Sequence, residues 1–292
     1  MRVPGSSANL GPGFDTFGLA LTLHDDIEVS VAAGGVSVEV VGEGAGRVPC
    51  NDRHLVVRAM RAAWAVVGDA PTGLRLRCRN AIPHARGLGS SAAAAVAGAV
   101  AAVALSGRDP DAETEVLLQV TAGMEGHADN AAASLLGGLV VAWETPGNTA
   151  ERCHAVRLDA HPDIRPVALV AAAESSTRAT RGLLPDRVPL ADAAFTGSRT
   201  ALAVLALTRR PELLLPATED RLHQEYRRPA YPASADLVAA LRARGVPAVI
   251  SGAGPTVLAL TADGGIPGGI DVTGFTALPL AVDPFGARVE IG

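Results

Sequence analysis

Residues 82–100 read IPHARGLGSSAAAAVAGAV, and no other stretch restricts the fold so sharply. Gly87 and Gly89 permit backbone angles that turn successive N–H groups onto one concave surface. Ser90 and Ser91 fall at the N-cap and first-turn positions of whatever helix follows. The alanines beyond them are small enough for that helix to pack closely against a sheet or a second helix. A helix opening behind such a loop turns its unpaired amides and the positive end of its dipole toward an anion. A serine hydroxyl there is also a suitable oxygen ligand for Mg²⁺. The stretch predicts a phosphate cradle in front of a buried helix.

Whose phosphate it holds is narrowed by an absence. All 25 Lys-plus-Arg residues are arginine; the chain contains no lysine. A Walker-type phosphate loop, a protein-kinase strand lysine and Schiff-base chemistry each need an amine, so all three are excluded. A nucleotide site here must rely on backbone amides, a helix dipole, a metal ion and arginines. The formal charge of −5 comes without a long basic block, which argues against a nucleic-acid partner. No uninterrupted apolar run reaches the length of a membrane span, and the N-terminus lacks the apolar core of a secretory signal, so no membrane partner is expected. Cys50, Cys78 and Cys153 lie far apart, without metal-ligand spacing, which suits a reduced cytoplasmic location.

Along the chain the pattern alternates strands and helices. DDIEVSVAA and GVSVEVVG have the period-two look of a β-hairpin turning at Gly34–Gly35. A helix with an Asn51 or Asp52 cap is expected to run to Gly68, followed by a strand in TGLRLRCRNAIP. Helices are expected over DAETEVLLQVTAGMEG, around 190–207 and around 234–244, with strands at VRLDA and IRPVALVAAA. The Pro, Gly and polar residues of ETPGNTAERC suggest a domain boundary, giving units 1–150 and 151–292.

The string from Pro83 to Ala93 resembles, without a gap, the second motif of the GHMP kinase family (galactokinase, homoserine kinase, mevalonate kinase, phosphomevalonate kinase). PGSSANLGPGFDTFGLAL, with Asn9, Gly11, Gly13 and Asp15, is similar to its first motif, and SGAGPTVLAL to its third. Within the family, EGHADNAAASLLGGL, STRATRGLLP and DRLHQEYRRPAYP resemble the homoserine kinase branch. The resemblance implies an α+β protein of two domains: an N-terminal ATP-binding domain like ribosomal protein S5 domain 2 and a ferredoxin-like C-terminal domain, with the site in the cleft between them. It implies ATP on Pro83, His84, Ala85, Arg86, Gly87, Leu88, Gly89, Ser90, Ser91, Ala92 and Ala93, with Gly252 and Gly254 supporting that loop from the second domain.

The implied reaction is Mg²⁺- and ATP-dependent phosphorylation of the side-chain hydroxyl of L-homoserine, a step of threonine biosynthesis. Two converging arginines, Arg181 and Arg227, suit a substrate carboxylate, because the guanidinium fork matches it bidentately. Asp129 is a candidate for the substrate ammonium, Asn130 and Asn9 for orienting the hydroxyl, and Asp15 and His127 for further substrate contacts. Glu125 and Ser91 are the candidate Mg²⁺ ligands. Phosphoryl transfer through a loose transition state rests mostly on positioning and charge neutralisation, so a strong base is optional. Arg228 is expected to face solvent. A homodimer is expected by analogy alone. Two other readings stay open: a different small-molecule kinase of the family, of mevalonate or diphosphocytidyl-methylerythritol type, and a non-catalytic nucleotide-binding regulator.

Overall fold

Two sheets organise the chain. The computed structural model describes residues 1–147, 152–175 and 177–291, with all their side chains except those of Thr177 and Arg178. The first sheet holds β1 (Arg2–Ala8), β2 (Phe17–Val31), β3 (Gly35–Gly42), β4 (Gly73–Asn80), β5 (Leu139–Glu144) and β6 (Cys153–Leu158). Its order is β3–β4–β2–β5–β6, with β1 antiparallel to β2 from Arg2↔Asp26 to Ala8↔Gly18.

The hairpin expected at Gly34–Gly35 does not form, because β4 lies between the two strands. It pairs antiparallel with β2 and parallel with β3, while the Gly34–Gly35 link passes over its start, where Ala32 N–H donates to Gly73 O at 2.9 Å. Period-two alternation marks strands of one sheet but does not say which are neighbours.

Four helices pack on this sheet: α1 (Leu55–Val67), α2 (Ser90–Leu105), α3 (Thr114–Glu125) and α4 (Asp129–Leu136). The helix after the glycine loop, α2, is buried from Ala95 through Val103, which is why its alanines show no polar face. Two expected caps are corrected. His54, not Asn51 or Asp52, precedes α1, and the Asn51 side chain accepts instead from Arg53 N–H. Gly89, not Ser90, is the N-cap residue of α2, which puts both serines in the first turn.

The second sheet has the order β10 (Phe275–Pro279), β7 (Arg165–Ala171), β9 (Val257–Thr261), β8 (Ala248–Ile250), every neighbour antiparallel. Counted within this sheet the order is 4-1-3-2, the ferredoxin-like arrangement. Its helices are α5 (Thr177–Arg181), α6 (Leu190–Thr208), α7 (Leu214–Ala217) and α8 (Pro232–Ala243). Among the described residues, α6 alone is long and apolar enough to cross a membrane by length and composition. It packs Thr196, Ala203, Ala206 and Leu207 inside the protein, and its Asp192 and Arg199 pair with Arg221 and Glu219.

The boundary expected in residues 144–153 falls partly outside the described residues. The strand beyond it, β6, pairs with β5 along its whole length, and residues 282–288 return to the first sheet at Leu21↔Val282 and Arg2↔Arg288. Residues 159–164 link β6 of the first sheet to β7 of the second, and the C-terminal tail packs back on the first sheet.

Candidate active site

Five segments converge on one cavity of about 120 Å³. The first is the turn after β1, where Asn9, Leu10 and Asp15 all hold left-handed backbone conformations (φ 70°, 47° and 53°). Such geometry in non-glycine residues persists only where the surroundings enforce it. Here Asn9 enforces it: its Oδ1 accepts Asp15 N–H at 3.0 Å and its Nδ2 donates to Gly252 O at 2.9 Å.

The second segment is the phosphate loop. Gly87 and Gly89 have φ of 76° and 71°, and a Cβ on either would strike Ser251 O at 2.3 Å or Ser6 Oγ at 2.2 Å. Both glycines are thus required by conformation and by the close approach of neighbours. At the start of the loop, the buried carboxylate of Asp25 accepts the amides of Ala81 and Ile82 through Oδ1, at 2.8 and 3.0 Å. Burial pushes this carboxyl up to about 6 despite the two bonds.

The third segment, motif three, holds that loop from the other domain. Ser251 Oγ donates to Gly87 O at 2.5 Å and lies 2.8 Å from Ser7 Oγ, and Gly252 N–H donates to Ala8 O at 3.0 Å. The Gly254 backbone presses against Gly87. The Arg86 guanidinium turns to the second domain as well, donating to the carbonyls of Ala171 and Ala172 and to His84 O.

The fourth segment joins α3 to α4. Ser91 Oγ donates to Glu125 Oε1 at 2.6 Å, bringing two hard oxygen donors together at the mouth of α2. Among the described residues no group of three or more His, Cys, Asp or Glu could hold a metal by itself. A hydroxyl and one carboxylate still suit Mg²⁺, which takes few protein ligands when phosphates and water supply the rest. Asp129 Oδ1 meets His127 Nδ1 at 2.8 Å and accepts Asn130 N–H at 2.7 Å; the bond to Asp129 raises the His127 pKa. Ser6 Oγ donates to Asn130 Oδ1 at 3.0 Å, backed by Ser134 Oγ at 3.3 Å. With Oδ1 engaged, Asn130 presents its NH₂ group to the cleft.

The fifth segment supplies arginines. Arg181, at the end of α5, grips Asp15 with both Nη atoms at 2.6 and 3.0 Å, which raises its pKa further. Arg227 is 2 % exposed, lines the cavity, and has no carboxylate in ion-pair reach among the described residues; its Nε has no partner, and burial lowers its pKa. Both guanidinium groups lie over the Phe14 ring, at 5.4 and 5.2 Å from its centroid. Arg228 is half-exposed and paired with Asp236 and Glu225.

Of the sequence-predicted residues, Asn9, Asp15, Pro83, Ala85 to Ser91, Glu125, His127, Asp129, Asn130, Arg181, Arg227 and Gly252 line the cavity. Ala92 and Ala93 are instead core residues, and His84, Gly254 stand behind the lining. Ser6, Phe14, Asp25, His223 and Ser251 were not singled out from sequence. Ser6, Phe14, His223 and Ser251 lie inside the family motifs, whereas nothing local marks Asp25.

Sequence profiles of the GHMP kinases match twice, the N-terminal domain over residues 54–138 and the C-terminal domain over residues 201–265. A homoserine kinase of Rhodococcus erythropolis is 55 % identical over 269 residues, covering 90 % of this chain and 85 % of the relative. The chain belongs to the GHMP kinase family. A second relative, the homoserine kinase of Streptomyces coelicolor, is 50 % identical to this GHMP kinase over 96 % of the chain and 94 % of its own length. In structure this GHMP kinase is similar to homoserine kinase from Cytophaga hutchinsonii (TM-score 0.82, 23 % identity, 98 % and 95 % covered). It is also similar to L. major mevalonate kinase (TM-score 0.68, 14 % identity, 98 % and 96 % covered). At those identities the likeness is one of fold, the two-domain GHMP fold.

Proposed function

We propose that this kinase transfers the γ-phosphoryl group of ATP to the side-chain hydroxyl of L-homoserine, giving O-phospho-L-homoserine for threonine biosynthesis. The observation that carries the reading is Arg227: a buried guanidinium at a cleft wall, with no carboxylate beside it among the described residues, is suited to a carboxylate brought by substrate. Arg181 adds a second fork, and its present partner Asp15 makes the pair complementary to a zwitterion, with the substrate carboxylate on the arginines and its ammonium near Asp15 and Asp129. The 50–55 % identical homoserine kinases support the same assignment.

The phosphates would lie against the amides of residues 87–91 and the start of α2. Ser91 and Glu125 would hold Mg²⁺, which when bound supplies neutralisation of the β- and γ-phosphate charge. Asn130 would donate from Nδ2 to the substrate hydroxyl oxygen and aim a lone pair at the γ-phosphorus, with Ser6 keeping the amide that way round. Asn9 would act by shaping the turn that carries Asp15. His127, paired with Asp129, would orient that carboxylate. We read the enzyme as cytoplasmic, acting on a free amino acid without nucleic acid or membrane as partner, and as a homodimer by analogy.

The test is ADP release from MgATP with L-homoserine, L-threonine, D-homoserine, mevalonate or galactose supplied singly. Turnover with L-homoserine well above the others is expected. Preference for mevalonate or galactose would overturn the acceptor, and nucleotide binding without turnover on any acceptor would favour a regulator.

A further inference from the structure

We infer that His223 is a positioning residue: it aims the Arg227 guanidinium at the acceptor's carboxylate and so sets how strongly the enzyme discriminates amino acids from simple amino alcohols. The inference rests on the reading of Arg227 as the carboxylate anchor.

Residues 220–227 form a tight turn in which Asp220 accepts the amides of Leu222, His223 and Gln224 at 2.8 to 3.0 Å. Arg227 N–H donates to His223 O at 3.2 Å, so the two side chains, four residues apart on one helical turn, share a face. The imidazole is fully buried, and its Nε2 lies 2.7 Å from Gly11 O. A carbonyl only accepts, so Nε2 carries the hydrogen. In the neutral ring Nδ1 is then an acceptor, and the group 3.4 Å from it is Arg227 Nη1.

Burial keeps the ring neutral, as this tautomer requires. Burial holds the imidazole below the ordinary histidine value, and Arg227 opposes a second positive charge beside it. Asp220, 3.7 Å from Nε2, and Asp15 pull the other way and are outweighed.

The ring also stacks on Phe14, centroids 5.1 Å apart, and Phe14 carries the Arg227 guanidinium on its face. His223 thus ties three things together: the Gly11 carbonyl of the turn that bears Asp15, the aromatic platform, and a guanidinium with no carboxylate in ion-pair reach among the described residues. An arginine held this way presents a fixed fork to a ligand, which lowers the entropy lost when a carboxylate binds.

The experiment uses the full-length enzyme and two acceptors, L-homoserine and 3-aminopropan-1-ol, which is the same molecule without its carboxylate. His223→Phe keeps the ring packed on Phe14 and removes both nitrogens. KM for L-homoserine should rise about tenfold, the scale of one hydrogen bond to a charged group, with kcat and KM for ATP within about twofold. KM or, where turnover is slow, Ki for 3-aminopropan-1-ol should stay within about twofold. In an Arg227→Ala background the same change should add nothing. His223→Gln, whose amide can donate to Gly11 O and accept from Arg227, should recover most of the loss, and it carries the test by itself against His223→Met if the phenylalanine variant does not fold.

An equal loss for both acceptors, or an additive loss in the Arg227→Ala background, overturns the inference. Should Arg227→Ala leave KM for L-homoserine unchanged, the carboxylate reading itself fails. If Arg227→Ala raises KM while His223→Phe is silent, only the inference fails.

Discussion

Replacing Asp25 with asparagine should make this enzyme more stable at neutral pH, although it removes a charge that accepts two backbone hydrogen bonds. Asp25 is 3 % exposed, and its carboxyl is raised from 3.8 to about 6, burial outweighing the amides of Ala81 and Ile82. Because the fold binds this proton more tightly than the unfolded chain does, the group's favourable contribution is complete below pH 3.8. It fades as pH rises through about 6. A shift of about two pH units corresponds to about 3 kcal/mol withheld at neutral pH. Asparagine keeps an oxygen at the Oδ1 position for both amides and never ionises. Denaturant unfolding should therefore find Asp25→Asn more stable by about 3 kcal/mol at pH 7.5 and by about half that at pH 5. The rise in Tm at pH 7.5 should be roughly 6 °C for a chain of this length. Asp25→Ala, which leaves both amides without an acceptor, should instead lose about 2 kcal/mol or more. A gain independent of pH, or a loss for the asparagine variant at pH 7.5, would refute the reasoning and mean that the loop requires the full negative charge.

Other outcomes follow from the cleft. Arg181→Ala should raise KM for L-homoserine by roughly one to two orders of magnitude while KM for ATP holds, as read from paired substrate titrations. In Gly89→Ala the new Cβ would meet Ser6 Oγ at 2.2 Å with φ at 71°, so the variant should lose about 2 kcal/mol of stability and bind ATP more weakly by calorimetry. Glu125→Gln should need about tenfold more Mg²⁺ for half-maximal turnover, with little change in Tm. His127 is raised by its bond to Asp129, so the stability that pair gives is complete below the unfolded histidine value and is lost as pH climbs past the raised one. The difference in unfolding free energy between wild type and His127→Asn should therefore shrink from pH 6 to pH 9.

What could be read in the sequence was what is local. The glycine loop and the helix behind it were legible, because the angles that only glycine tolerates and the alanine run lie within a dozen residues, although the cap fell on Gly89 and not on Ser90. Strand adjacency was misjudged where the deciding residue came later. Gly34–Gly35 has every feature of a hairpin turn, and only β4, which begins at Gly73, takes the place between the strands. The pairing of β6 with β5 is equally illegible, because its short apolar run carries no mark of its partner. Arg227 was legible as an arginine in a motif, but its burial, and the lack of a counter-ion among the described residues, come with the turn around Asp220. His223, four residues earlier, has no sequence signature that separates it from a structural histidine. Its meaning is set by Gly11 O, more than two hundred residues away.

The absence of lysine and the placement of Arg86 together say how such a site handles phosphate charge. Arg86 stands in the middle of the nucleotide loop, yet its guanidinium engages three carbonyls, two of them at the end of β7, and Ser175 N–H donates to Ala85 O beside it. A planar fork can serve carbonyls in several directions at once, which an ammonium on a flexible stem does poorly. With Ser251 on Gly87 O from the other side, the loop is fastened to both domains before any ligand arrives. The cradle therefore offers fixed amide dipoles that need no rearrangement when charge develops on the γ-phosphate, and such preorganised dipoles are what a loose phosphoryl-transfer transition state exploits. The acceptor side is built differently. Arg181 and Asp15 pair across 2.6 Å at a half-exposed surface, so on the proposed reading an amino acid would exchange its own charges for theirs. On the proposed reading, a rigid nucleotide half and an exchangeable acceptor half would let one fold keep its phosphate chemistry while a few residues near Phe14 select the alcohol.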